Sequence, residues 1–296
     1  MSSRPSPYQI TAFTYAARER SFSRAAVRLN VTQSSVTQHV AKLEQKMGTQ
    51  LFIRRREGLE LTRAGAELFD ITDRLATLDQ IVAEKVSDYS ALTDGHIRLI
   101  ANAPRPAMPI IARYGELFPK VQIHFTLYDW TSAMRLLANR QVDIAIVTEP
   151  EQSESLFTRE VRRSAYRAYM RRDHPLAGSD SVSLRALQDH PLILPEDGSL
   201  TEKVARRKIR EHGLEFPRII RTTTFPMVKE AILHGLGVGL LLENSLFPSD
   251  KLVAMPIAEM PEEYRDYIAI PADKRELKLI QSFLEVSTDA RASGAF

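Results

Sequence analysis

Apolar and polar positions along the chain change their period twice, and those changes divide it. Over residues 8–47 apolar side chains recur three or four apart in short runs, the spacing that gives a helix one buried face. Ile10, Phe13 and Ala17 form such a face on a first helix. The run Arg24-Ala25-Ala26-Val27-Arg28-Leu29 predicts a second, with Ser23 as N-cap and Asn30, which tolerates a left-handed backbone, at its end. Thr32 then caps a third helix, whose Val36, Val40, Leu43 and Met47 face inward. Residues 48–62 read as a small turn-rich ribbon. From Arg63 to about Ser90 one long helix is predicted, without Pro and with a single Gly. Its Leu68, Ile71, Leu75, Leu78, Val82 and Val86 lie close to a heptad seam, which predicts pairing with a second copy. The alternative is packing on its own chain.

From Gly95 onward the period shortens. HIRLIA, VQIHFTLY, VDIAIV, PLILP, RIIRTT, GVGLLL and DYIAI are strand-like runs separated by helical stretches. That alternation predicts an α/β domain with largely parallel sheets. At 296 residues the chain exceeds what one core usually serves.

Charge sharpens the division. The net charge of +3 hides an asymmetry: residues 1–62 hold ten basic side chains and four acidic ones. A basic head on a mildly acidic remainder implies an anionic partner for the head. No apolar run approaches the ~18–20 residues that cross a bilayer, and MSSRPSPYQITAF has no apolar core of a signal peptide. A cytoplasmic location and no membrane partner are expected. The absence of Cys excludes thiol catalysis, disulfides and thiolate metal sites.

The three short helices form a helix-turn-helix: Ala25 and Ala26 let two helices cross closely, and the capped third helix offers its N-terminal side chains to the DNA major groove. Its outward residues are Gln33, Ser34, Ser35, Thr37, Gln38 and Lys42. Gln pairs with adenine in two-point fashion, and Ser or Thr serves base edges or phosphates.

The stretch FTYAARERSFSRAAVRLNVTQSSVTQHVAKLEQKMGTQLFIRRREGLELTRAGAELF resembles the N-terminal domain of LysR-type transcriptional regulators. The match runs through Gly48, Leu51 and Phe52 before a wing, Arg54, Arg55 and Arg56 within it, and Leu61, Thr62 and Gly65 after it. Carried over by position, the family's groove contacts fall on Gln33, Ser34, Thr37 and Gln38, with a wing contact on Arg55 or a neighbour. Two residues depart from the family pattern: Ser34 stands where Pro is frequent, and Gln38 where Arg is. Losing Arg removes a guanine reader and shifts the expected preference toward adenine. Arg54–Arg56 are expected to hold phosphates rather than read bases.

The resemblance implies an α/β multidomain protein with three parts: a winged helix-turn-helix (1–62), a linker and dimerisation helix (63–92), and a periplasmic-binding-protein-like effector domain (93–296). The last would have one lobe at about 95–160 plus 268–296, taking back a final helix from Arg275 to about Val286, and another at about 163–265. DHPLAG and HGLGVGLLLENSL resemble second-lobe signatures. Expected partners are operator DNA, a small-molecule effector, the transcription machinery, and further copies in a homodimer or homotetramer. No cofactor is expected.

In such folds ligands sit beyond the C-terminal ends of strands, near helix N-termini. Asn102 and Arg105, Thr131 and Ser132, Ser199 and Thr201, and Thr222, Thr223 and Thr224 occupy those positions, with Thr148 near a crossover. Hydroxyls with one Arg suit a carboxylate, phosphate or phosphonate, and Trp130 and Phe225 would cover an organic portion. Each hydroxyl has an alternative role as the cap of its own helix, and Arg105 one in a surface ion pair.

Other motifs carry no chemistry. Gly235, Gly237 and Gly239 lack the GxGxxG spacing and follow a helix rather than a strand. Seven scattered His show no metal-ligand spacing. Neither a GxSxG elbow nor a GxxxxGK[ST] loop is present. The expectation is a ligand-responsive DNA-binding regulator, not an enzyme. The alternatives are a cytoplasmic small-molecule binding protein, or an enzyme with an appended helical domain.

Overall fold

The structure, a computed structural model, describes residues 4–86, 95–243 and 245–292. The chain forms two compact units: Met1–Ala91 with Ala138–Gln141 and Asp273–Lys278, and Leu92–Leu137, Val142–Ala272 and Leu279–Phe296.

In the first unit α1 (Pro7–Glu19), α2 (Phe22–Leu29) and α3 (Gln33–Met47) precede a hairpin of β1 (Phe52–Arg55) and β2 (Gly58–Leu61), then the long α4 (Arg63–Val86). Ser6 and Gln9 form a capping box at α1. Phe13, Ala16, Ala25, Leu43 and Leu51 are completely buried in the core of this unit, and Ala26 is buried beside Ala25 on the inner face of α2. Asn30 ends α2 at φ 53° and Thr32 caps α3. Two expectations are corrected. Ser21, in extended conformation, caps α2 by accepting from the Arg24 N–H; Ser23 lies inside the helix, and its hydroxyl donates to Gln33 Oε1 at 2.8 Å. Met47 is exposed because it occupies the last turn of α3, just before Gly48 reverses the chain at φ 67°.

On α4, Ile71, Leu75, Leu78, Val82 and Val86 are all more than half exposed. Leu68, the first residue of the predicted seam, instead packs on the head's core. The expected extension of this helix to Ser90 lies outside the described residues.

The second unit opens with β3 (Gly95–Ala101), α5 (Pro104–Leu117), β4 (Val121–Leu127), α6 (Trp130–Ala138) and β5 (Ile144–Thr148). Next come β6 (Leu156–Arg171), α7 (Leu184–Leu187), β7 (Leu192–Pro195), α8 (Leu200–Glu211), β8 (Ile219–Thr222), α9 (Phe225–Leu233) and β9 (Val238–Leu242). The chain closes with β10 (Leu252–Pro256), β11 (Glu263–Pro271) and α10 (Lys278–Ala292). A short 3-10 turn over Ala272–Glu276 means α10 starts three residues later than expected.

Strand order is β4-β3-β5-β11-β6-β9-β7-β8, with β10 on β6. The sets β3/β4/β5 and β7/β8/β9 are parallel, one per lobe. Between them β6 and β11 run antiparallel from Leu156–Pro271 to Ala165–Glu263. Strands β6 and β10 were absent from the sequence expectation. β6 buries every second residue from Ser164 to Met170, with Val161 out of that register across an irregularity in the β6–β11 ladder, a partly alternating pattern rather than a continuous apolar run.

Candidate functional site

The helix-turn-helix surface follows from the local caps. Gln33, Ser34, Gln38 and Lys42 are exposed on α3, and Ser35 and Thr37 are half-buried. Gln33 is held by Ser23, and its carbonyl accepts from Thr37 Oγ1 at 2.9 Å. Ser34 and Thr32 share a hydrogen bond of 2.9 Å. Arg54, Arg55 and Arg56 are exposed on the hairpin. Arg55 pairs with Glu60 across it at 3.0 Å, and the Arg54 guanidinium lies over the Phe22 ring. A polar helix N-terminus and a cationic hairpin in the same unit are surfaces of the kind that serve base edges and phosphates.

In the second unit, the C-terminal ends of β3, β4, β5, β7 and β8 converge on a cavity of about 460 Å³, the place where open α/β sheets bind ligands. Of the predicted residues, Asn102, Thr148, Ser199, Thr201, Thr223 and Thr224 line it, as do Trp130 and Phe225. Arg105, Thr131, Ser132 and Thr222 do not. Arg105 sits over the Phe247 ring, 5.9 Å from its centre. Thr131 donates to the Gly198 carbonyl at 2.9 Å. This brings the loop before α8 against the start of α6, and Gly198 permits it: φ there is +94°, and a Cβ would lie 3.0 Å from Asp129 Oδ1. Ser132 donates its N–H to the same carboxylate. Thr222 is buried at the end of β8.

The capping alternative is also realised: Ser199 accepts from the Glu202 N–H and Thr224 from the Met227 N–H. A hydroxyl that accepts from the protein keeps its own hydrogen for another acceptor, so capping and lining are compatible here. Thr201 likewise accepts from the Tyr166 hydroxyl at 3.4 Å. Burial pushes the Tyr166 phenol far above its ordinary range, so it remains a donor.

Much of the wall was not anticipated. Leu127, Leu242, Leu246 and Phe247 make it largely apolar, and Lys229 adds a cation. The Lys203 ammonium stands 4.3 Å from the centre of the Trp130 ring. The two carboxylates of the lining are Asp129 and Glu196. A cavity of this size with apolar walls and few polar groups suits a small organic molecule.

Behind the cavity floor lies a buried acid that the sequence reading passed over. Asp266 pairs with Thr148 on β5 and with Arg162 on β6. It accepts from Thr148 Oγ1 at 2.6 Å and from Arg162 Nε at 3.1 Å. Burial pushes its carboxyl above the ordinary range, while Arg162 and the Thr148 hydroxyl pull the other way. The available signal was a charged residue inside the apolar strand DYIAI. Among the described residues there is no cluster of His, Asp and Glu able to hold a metal, and no helix long and apolar enough to cross a membrane.

A winged helix-turn-helix followed by a two-lobed binding domain defines a transcription regulator. The helix-turn-helix model of the "Bacterial regulatory helix-turn-helix protein, lysR family" matches residues 8–66, and that of the "LysR substrate binding domain" matches 90–292. The chain belongs to the LysR family of transcriptional regulators. Among its relatives, YwqM of Bacillus subtilis, an HTH-type transcriptional regulator, is 28% identical over 80% of this chain and 82% of its own. The transcriptional activator CmpR of Synechocystis is 25% identical, over 94% and 93%. A full-length OxyR variant from Pseudomonas aeruginosa shares the fold with a TM-score of 0.77 at 20% identity, over 97% and 94%. The regulatory domain of CcmR from Synechocystis, solved in complex with 2-PG, gives a TM-score of 0.60 at 24% identity, over 67% and 97%.

Proposed function

We propose that this regulator senses a small organic acid in the 460 Å³ cavity of its second unit and binds operator DNA as a homodimer or a pair of dimers. The observation that carries the effector reading is the cavity's second-lobe wall. There the Ser199, Thr201 and Thr224 hydroxyls keep hydrogens to donate, Lys229 adds a positive charge, and α8 and α9 point their N-termini inward. Trp130, Phe225 and Leu246 cover the ligand's apolar body. A small-molecule occupant is further supported by the 2-PG found in the CcmR regulatory domain. Arg105 and Thr131 serve the rim rather than the ligand.

On DNA, Gln33, Ser34, Thr37 and Gln38 read base edges, while Lys42 and Arg54–Arg56 hold phosphates. The functional division is a head to residue 62, a linker to 92 and an effector domain beyond it. Effector binding shifts lobe closure, and with it the spacing of paired heads.

The test is duplex-DNA binding across salt concentrations, with and without organic acids that raise the thermal midpoint. Binding is expected to weaken steeply with salt, by roughly 0.9 in log–log slope for each phosphate contact, and Arg55→Ala to flatten that slope. Salt-insensitive binding would refute the DNA reading. Stabilisation by neutral molecules alone would refute the acid.

A further inference from the structure

Ser23 and Gln33 join the two helices of the DNA-binding pair at their starts: Ser23 is the second residue of α2 and Gln33 the first of α3. The Ser23 hydroxyl donates to Gln33 Oε1 at 2.8 Å. Ser21, not Ser23, caps α2, so this hydroxyl is not engaged in holding its own helix. Thr37 bonds the backbone carbonyl of Gln33 and leaves the side chain untouched. Among the described residues, Ser23 is the one protein partner of the Gln33 carboxamide, and Nε2 keeps both hydrogens for an outside acceptor. A hydroxyl can donate or accept, and the helix decides which. Ser23 lies in the first turn of α2, where unsatisfied N–H groups form the positive end of the helix dipole; an amide oxygen is favoured there over an NH2 group.

We propose that Ser23 is a specificity-determining positioning residue for DNA reading: it holds the Gln33 carboxamide with its oxygen toward α2 and its nitrogen away from it. Oε1 retains a second lone pair, so the held amide still offers a donor and an acceptor side by side, in one fixed order. Adenine presents N7 and N6–H in a matching order in the major groove. A pair inverted from A·T to T·A presents them in reverse, which the amide meets only when turned over. Ser23 thereby selects the strand on which the adenine stands. This rests on the DNA reading above and deepens it by assigning the sense of one base contact. Without the hydroxyl, the carboxamide of an exposed Gln turns over freely, and A·T and T·A become nearly equivalent to it.

The experiment uses the full chain. Duplexes enriched from a randomised library by wild type define its preferred site, and the base pair whose preference disappears in Gln33→Ala is the one Gln33 reads. That pair is expected to be A·T, with the adenine on one strand. Inverting it to T·A should weaken wild-type binding by about tenfold, the scale of a two-point base contact. Ser23→Ala should cut that penalty by about fivefold, the scale of one hydrogen bond, with preferences at other pairs and the salt dependence unchanged. Ser23 is exposed and outside the core, so this variant keeps the head folded. Ser23→Thr, which keeps the hydroxyl, should retain the penalty. In a Gln33→Ala background, Ser23→Ala should change nothing further, the mark of a residue that acts through Gln33.

A full inversion penalty in Ser23→Ala would overturn the inference. So would a loss in Ser23→Ala that is equal on all duplexes and persists in the Gln33→Ala background, since Ser23 would then hold a phosphate itself. A Gln33-dependent pair that prefers another base, or no such pair at all, would overturn the assigned sense of the amide. If wild type enriches no sequence, the DNA reading itself fails and this inference with it, a result distinct from the others because it appears before any variant is compared.

Discussion

Asp73 on α4, with no exposed surface, accepts a hydrogen bond from Arg140 Nε at 2.8 Å. Arg18 of α1 binds the other carboxylate oxygen, and Lys274 stands 3.7 Å away. Arg140 also grips Asp273 with both terminal nitrogens, at 2.8 and 2.7 Å. All five residues lie within the first unit. Desolvating one carboxylate is costly, and only this enclosure by cations offsets it. Removing the acid takes a counter-charge from Arg18, Arg140 and Lys274 at once, while Arg140 keeps its pair with Asp273. Asp73→Ala is therefore expected to lower unfolding free energy by about 3–5 kcal/mol. Denaturant titration of the full chain, following helical signal, measures this. A loss under about 1 kcal/mol, the value of an exposed pair, would show that the cluster contributes little.

The same cluster sets an acid limit. Burial alone would raise the Asp73 carboxyl, but Lys274, Arg18 and Arg140 outweigh it and hold the group below its ordinary value of 3.8. Asp273 is held low in the same sense, with the Arg140 hydrogen bonds outweighing burial. A carboxyl depressed in the folded state takes up its proton more readily once unfolded. Its stabilisation is thus complete above the ordinary value and fades as pH falls through the folded one. Stability should change little through this pair between pH 5 and 8 and drop below about pH 4. The drop should be shallower in Asp73→Asn, which starts less stable but has one proton fewer to bind. Equal slopes for variant and wild type would contradict this.

The head was legible because its rules are local. Small Ala25 and Ala26, Asn30 in a left-handed turn and the Thr32 cap each act within a few residues, so the residues themselves specify the geometry. The cap at Ser21 rather than Ser23 shows the limit: two serines two apart compete, and Phe22 packing edge-on against Phe52 favours the earlier start. The cavity was legible in outline, since strand ends followed by hydroxyls mark helix N-termini. Its wall was less so. Leu242, Leu246 and Phe247 arrive from the end of β9 and the segment after it, and only tertiary folding brings them to the mouth. Asp266 was the hardest to find, because its partners Thr148 and Arg162 are 118 and 104 residues away in sequence.

The α4 seam makes a prediction about assembly. Ile71, Leu75, Leu78, Val82 and Val86 stay exposed while polar neighbours of the same helix, Thr72, Asp73 and Thr77, are buried. An apolar stripe left in water on the outer face of a folded helix is the arrangement a second α4 would cover. Leu75 and Leu78 are 57% and 56% exposed, so each has about half of its burial, roughly 1 kcal/mol, still to gain. Replacing both by Lys removes four such contributions from a two-helix seam, about 4 kcal/mol, or about a thousandfold in dissociation constant. Sedimentation should show wild-type dimers or larger at micromolar concentration and the double variant as monomer, with monomer folding intact because neither side chain is in the core. Affinity for a two-half-site operator should fall as well, since each head then binds without the effective concentration supplied by its neighbour, while affinity for a single half-site stays the same. A double variant that remains dimeric would place the association surface elsewhere on the chain.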